Sequence, residues 1–261
     1  MKINYLYKND NVTKKITFVF LHGLGGNLYA WKDYFSLFNK RGYATLAIDL
    51  RGHGLSKRAD KPQQYDLEIF ARDVKKILDK EKIKNFVLVG HCFGGVIASI
   101  FQKKYKSAKA LILISATSKA PTRLKIVEPI LGLLNRFHEY LPEDKIVNRT
   151  DYSEYIGTTD YDINRIKSDL QNTGLHSYLA TFYQLAKYDG TEDLKKIAIP
   201  TLIIAGKNDT VFYRDYALTL HELIPNSKLV EVSDANHIII LTHTALIADK
   251  INNFINKNNL D

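Results

Sequence analysis

The chain of 261 residues carries a single cysteine, and the residues around it suit a nucleophile better than a core position. Cys92 lies in Gly90-His91-Cys92-Phe93-Gly94-Gly95, directly after the apolar run from Asn85 to Val89 and at the start of a helical pattern. A sharp strand-to-helix turn needs small residues on either side of its centre, because larger ones would collide with the adjoining strand and helix. Such a turn lifts the central side chain into the open. At a helix N-terminus, unpaired N–H groups and the helix dipole favour a thiolate, the form of cysteine that attacks carbonyl carbon. Without this context a lone cysteine reads as a small buried hydrophobe.

A turn of this kind has to be held by a sheet. Ile16 to Leu21, Ala44 to Ile48, Asn85 to Val89 and Ala110 to Ile114 are short apolar runs bounded by Gly or polar residues, and they read as buried strands. Between them lie helical patterns over Asn27 to Phe38, over Leu67 to Leu78 and over Gly94 to Tyr105. Alternation of strand and helix implies parallel pairing with helices on both faces. The alternation resumes with a strand at Thr201 to Ala205, a helix at Asp215 to Leu223, a strand at Lys228 to Val232 and a closing helix at Thr242 to Ile255. Between the two halves, three helical patterns follow one another without a strand. One opens on Pro129 as its first residue and puts Ile130, Leu133, Leu134, Phe137 and Leu141 on one side. A second runs from Ile163 to Leu170 and stops near Gly174, and a third carries Tyr178, Leu179, Phe182 and Leu185. The expected fold class is α/β, a mostly parallel central sheet with helices on both faces, formed by residues 1–116 and 191–261. Residues 117–190 are expected to form an inserted helical cap.

With these elements in place, the chain resembles the α/β-hydrolase superfamily, esterases and lipases included, over nearly its whole length. His22-Gly23-Leu24-Gly25-Gly26 is similar to the family's oxyanion-hole loop, and Asp49-Leu50-Arg51-Gly52-His53-Gly54-Leu55-Ser56 to the loop after its next strand. Gly206-Lys207-Asn208-Asp209 looks like the acid turn, and Asn236-His237 like the histidine loop. The departure is at the turn centre, where the family commonly has Ser and this chain has Cys92. The resemblance implies a Cys-His-Asp triad of Cys92, His237 and Asp209, in the chain order expected of the fold. His237 would take the thiol proton, and Asp209 would accept the other imidazole N–H and steady the imidazolium. The oxyanion would be met by the backbone N–H of Phe93, the residue after the nucleophile, and by that of Leu24. The rival acids are less well placed. Asp49 comes too early for the triad order, Asp234 stands three residues before His237 and shapes its loop, and Asp215 opens a helix; Ser115-Ala116-Thr117, one strand earlier, has no carboxylate.

His91 is expected to wall the pocket, with Leu133, Leu134, Phe137 and Phe182 as an apolar roof, while His22 and His53 brace loops. The implied activity is cofactor-independent hydrolysis of a carboxylic ester, lactone or thioester, a carboxylesterase-like reaction on a small-molecule apolar acyl substrate. Two alternatives use the same constellation. An acyltransferase would exclude water from the acyl-enzyme, and a low-turnover binding relative would carry the thiol in place of a serine.

Composition narrows the remaining classes. The formal charge of +9 comes from Lys residues scattered in pairs and reads as solvated faces, so nucleic acid is not an expected partner. Gly23 to Gly26 lacks the spacing and the Lys-Ser/Thr of a phosphate-binding loop. The eight His residues show no HxxH or HExxH spacing, so no metal is expected. The N-terminal MKINYLYKND lacks the apolar run of a secretory signal, and one free thiol suits a reducing compartment, so a cytoplasmic location is expected. Stable membrane insertion by residues 129–141 is not expected, since Arg136 and Glu139 suit any exposed face.

Overall fold

Five of the apolar runs become strands covered on both sides, and the last, at the sheet edge, is half-buried. The computed structural model describes residues 1–10, 12–137, 140 and 147–260. Seven strands, Tyr5–Lys8 (β1), Thr17–Leu21 (β2), Ala44–Ile48 (β3), Phe86–His91 (β4), Ala110–Ile114 (β5), Thr201–Gly206 (β6) and Ser227–Val232 (β7), form one sheet in the order β1-β3-β2-β4-β5-β6-β7. All neighbours are parallel except β1, which pairs antiparallel with β3 from Tyr5 opposite Ile48 to Lys8 opposite Thr45. The sequence does not announce β1. Its four residues, YLYK, are half-buried to exposed, and only the register with β3 makes them a strand.

Alternation along the strands feeds two cores. Val19, Leu21, Leu88, Leu111 and Leu113 face the helices Leu67–Lys80 (here α2) and Phe93–Tyr105 (α3), meeting Phe70, Val74, Val96 and Phe101. Phe18, Phe20, Val87, Val89 and Ile112 face Lys32–Asn39 (α1) and Thr244–Lys257 (α10), meeting Tyr34, Phe38, Ile247 and Ile251. The rings of Phe18 and Phe38 approach to 4.1 Å between centroids. Each such fully buried side chain contributes about 1.5–3 kcal/mol.

Two helical stretches are divided differently from the sequence reading. Asn27 to Phe38 is a 3-10 turn at Leu28–Trp31, capped by the Asn27 side chain accepting from the Tyr29 N–H, followed by α1. The closing stretch is a short helix, Ile239–Thr242 (α9), and then α10, with His243 between them in a non-helical conformation.

Between β5 and β6 the chain leaves and returns through a paired stem, Lys119 opposite Asp189, with Ala120 N–H to Tyr188 O at 2.8 Å and Gly190 N–H to Ser118 O at 2.9 Å. The segment so closed off holds helices Thr122–Arg136 (α4), Ile163–Thr173 (α5) and Leu175–Ala186 (α6), and Thr191–Leu194 (α7) and Arg214–Leu223 (α8) come before and after β6. Contrary to the expectation that Pro129 opens a helix, α4 begins seven residues earlier and Pro129 lies inside it. Pro121 at the N-cap starts the helix. Pro129 is exposed, so the carbonyl that loses its partner can turn to water. Leu141, His138 and Glu139 lie outside the described residues. Among the described residues no helix is long and apolar enough to cross a membrane.

Candidate active site

Parallel pairing places the loops that follow β2, β4, β6 and β7 at the same edge of the sheet, and β2 and β4 flank the point where successive connections run in opposite directions. The turn after β4 is tight. Cys92 is the N-cap of α3 with φ 51° and ψ −116°, a conformation that non-glycine residues seldom hold without surrounding support. That support is steric. A Cβ on Gly90 would stand 2.4 Å from the Gly94 carbonyl oxygen, and one on Gly94 would stand 2.2 Å from the Leu21 carbonyl oxygen. The Cys92 N–H is tied to Ile114 O at 2.9 Å, and the thiol-bearing side chain, 9% exposed, opens on a cavity.

The acid turn and the histidine loop are zipped to each other by Lys207 N–H to Val232 O and Asn208 N–H to Ala235 O, both at 2.9 Å. Asp209 Oδ1 accepts the Val211 and Phe212 N–H groups at 2.9 and 2.8 Å, which leaves Oδ2 for His237 Nδ1 at 2.8 Å. Burial presses the Asp209 carboxyl upward, but His237 and these donors outweigh it and the net shift is downward. For His237, burial favours the neutral ring; Cys92 and Asp209 beside the ring override it and raise the imidazole to about 10. The edge of the His237 ring meets Phe212, with centroids 5.4 Å apart. The sheet edge therefore brings Cys92, His237 and Asp209 together.

The loop of Gly23 and Leu24 is held from below. His22 Nδ1 donates to Gly23 O at 2.7 Å and its Nε2 accepts from the Leu50 N–H at 3.0 Å, a pairing that only the neutral ring can make. Burial lowers His22 to about 4. His53 donates to Arg51 O at 2.9 Å and lies against His22 and Phe93. Both act as braces, as the sequence implies. Asp49 spends its carboxylate on the Leu28 and Leu55 N–H groups and on Asn4, while Asp234 is exposed and pairs with His243.

The cavity over Cys92 holds about 400 Å³. Phe182 borders it as expected, together with Leu24, Leu124, Val127, Leu185, Val211 and Phe212. Three residues of the expected roof lie elsewhere. Leu133, Leu134 and Phe137 are 58%, 36% and 49% exposed, on the outer side of α4, and the helix faces the cavity through Arg123, Leu124 and Val127 near its start. Periodicity groups residues on one side of a helix but does not say which way that side turns. His91 is buried under the histidine loop, donating from Nε2 to His237 O at 2.8 Å, and borders a smaller recess with Gly23 and Leu24. Burial first, and then the His237 charge, lower His91 to about 3, so it stands as a neutral prop.

The cavity is also more polar than the sequence implies. Arg165, Asp169 and Asp160 line it beside the apolar residues. Burial pushes Asp169 up to about 6, against the pull of Arg149 and Arg165. Two residues of the insertion have no precedent in the sequence reading. Asn172, fully buried, donates to Gly25 O at 2.8 Å and Gly26 O at 2.7 Å, and Asp160 receives hydrogen bonds from both the acid turn and the histidine loop. Neither stands in a motif, and their partners lie far away along the chain, so no sequence signal marks them. Among the described residues no group of three His, Cys, Asp or Glu side chains is arranged to hold a metal ion.

The comparisons with known proteins agree with this fold. A sequence model of the family described as "alpha/beta hydrolase fold" matches residues 16–154 and 158–244. An AB hydrolase superfamily protein, YisY, of Bacillus subtilis strain 168 is 27% identical over 228 residues, covering 84% of each chain. A non-heme chloroperoxidase of Streptomyces lividans is 24% identical over 259 residues, covering 94% of this chain and 93% of its own. Among solved structures, the enol-lactonase of Burkholderia xenovorans LB400 superimposes with a TM-score of 0.75 at 18% identity, covering 97% of this chain and 96% of its own, a likeness of fold.

Proposed function

The chain belongs to the α/β-hydrolase fold family, and from that premise we propose that it hydrolyses a carboxylic ester, lactone or thioester through an acyl-enzyme on Cys92. The main support is the convergence of three loops at one sheet edge, with Asp209 Oδ2 2.8 Å from His237 Nδ1 and with Cys92 and His237 bordering the same cavity.

The Cys92 thiolate attacks the carbonyl carbon with its proton held on His237, the state that Cys92 and Asp209 together favour. The tetrahedral oxyanion is met by the N–H groups of Leu24 and Phe93; Phe93 opens α3 and so has no carbonyl one turn back to satisfy. Collapse breaks the bond to the alcohol or thiol, which leaves with the proton from His237. Water then gives a proton to His237 as it attacks the thioester, and a carboxylic acid departs from the regenerated Cys92.

Residues 117–190 serve in this reading as a cap over the core of residues 1–116 and 191–261. A volume of about 400 Å³ suits a small molecule. The acyl chain would lie along Leu124, Val127 and Phe182, and the more polar part of the substrate would face Arg165 and Asp169.

The test is hydrolysis of p-nitrophenyl esters of increasing acyl length by the parent, Cys92→Ala and Cys92→Ser. Turnover by the parent and its loss in Cys92→Ala are expected. An active Cys92→Ser beside an inert parent would overturn the thiol mechanism and favour a binding relative.

A further inference from the structure

Between the 3-10 turn Ser153–Tyr155 and α5, the insertion lays a stretch of irregular backbone across the acid turn and the histidine loop. Asn236 Nδ2 donates to Thr158 O at 3.0 Å, and the Tyr161 hydroxyl donates to Thr210 O at 3.1 Å. Each of these contacts touches one loop. Asp160, only 5% exposed, touches both. Its Oδ2 accepts the Thr210 N–H at 2.8 Å and the Thr210 hydroxyl at 2.7 Å, and its Oδ1 accepts the His237 N–H at 2.9 Å. The Arg165 side chain donates to the Asp160 carbonyl, which holds the peptide that carries the carboxylate.

We infer that Asp160 is a positioning residue for the reaction: its carboxylate, reaching in from the insertion, sets the acid turn and the histidine loop in register with each other. The inference deepens the hydrolase reading and rests on it. Thr210 is the residue after Asp209, and the second anchor is the main chain of His237 itself, so the two fixed points are one bond sequence away from the groups that must meet. All three donors are N–H or O–H groups, which an ionised carboxylate can accept together. An amide in its place would turn an NH₂ toward at least one of them. His91 holds the His237 carbonyl from the core side, at 2.8 Å. The peptide unit preceding the His237 side chain is thus gripped by the insertion, and the one following it by β4. The groups facing the His237 ring are Asp209, Cys92, His91 and Phe212, and Asp160 meets His237 through its backbone alone.

Displacing a reacting group by about 1 Å can cost on the order of a hundredfold in rate. Asp160→Ala, Asp160→Asn and, as a reference for the reading itself, Cys92→Ala are compared with the parent for kcat and KM on the best p-nitrophenyl ester, for the rate of Cys92 alkylation by iodoacetamide, and for thermal midpoint. In Asp160→Ala, kcat is expected to fall about 10- to 100-fold with KM changed less than about threefold, and alkylation to slow because the thiolate loses its aligned imidazolium. Asp160→Asn, which keeps one acceptor oxygen, should fall between. If Asp160→Ala does not fold, Asp160→Asn decides alone. A folded variant with kcat and alkylation rate both within about twofold of the parent would overturn the inference. Should the parent turn over no ester, the hydrolase reading fails, and the alkylation rates still judge whether Asp160 aligns His237 with Cys92.

Discussion

The turns at the strand ends and the helices of the insertion border the same cavity, yet they are fixed by different forces. In the turns the main chain leaves no choice: Gly90 and Gly94 admit no Cβ, and Asp209 is aimed by two N–H groups of its own turn. In the insertion the contributing groups are single side chains that meet segments distant along the chain. Asp160 reaches residues 50 and 77 positions away, and Asn172 reaches the glycine loop across 147 and 146 positions. Local backbone geometry therefore builds the reacting groups, while the insertion supplies alignment and the shape of the cavity. Changes in the first region should be felt in kcat and in folding, and most changes in the second in KM.

The largest expected effect is that of His237→Ala, which should lower kcat about 10,000-fold, as steady-state kinetics would show. A loss under about tenfold would erase the distinction between the regions. Gly94→Ala should come next, destabilising by about 3 kcal/mol or more in urea unfolding, because its Cβ meets the Leu21 carbonyl at 2.2 Å.

A third outcome concerns protons. His237 is raised from 6.5 to about 10, chiefly by Cys92 once burial is overcome. A folded-state value above the unfolded one contributes stability that is whole below about 6.5 and is lost as pH rises through about 10. Cys92→Ala should move the His237 titration, followed by NMR, to lower pH and shift that window with it. An unmoved titration would separate the thiol from the imidazole.

Phe182→Ala should raise KM for medium-length acyl esters about 5- to 10-fold while kcat stays within about twofold, by loss of apolar wall alone. Smallest of all is Leu133→Ser, expected within about 0.5 kcal/mol of the parent in stability and without effect on KM, because Leu133 is 58% exposed on the far side of α4. A rise in KM there would restore it to the pocket.

The same contrast explains what could be read in the sequence. Five strands, β2 to β6, stand out because both their faces are buried, so apolar residues run on without interruption. The half-buried edge strand β1 lacks that signal. Cys92, Asp209 and His237 follow strands directly, at turns whose residue types are constrained by collision and by chain order. The outer stripe of α4 was misleading for the reverse reason: Leu133, Leu134 and Phe137 share a side, but the side that faces the cavity is set by packing against α6 and by where the helix begins. Pro129 suggested a start seven residues too late, because an exposed helix position tolerates the lost hydrogen bond.

By itself the sequence determined the parallel order of the core, the strained turn at Cys92 and the presence of an acid and a histidine after later strands, since each follows from periodicity or from steric limits acting within a few residues. Tertiary structure alone decided that His237 would be propped by His91 and gripped by Asp160, that Asn172 would hold the glycine loop, and that Arg165 and Asp169 would give an apolar cavity a polar side. Those outcomes depend on side-chain reach between segments distant along the chain. Hydrogen bonds of that kind leave no periodic trace, because a single well-placed carboxylate or amide suffices.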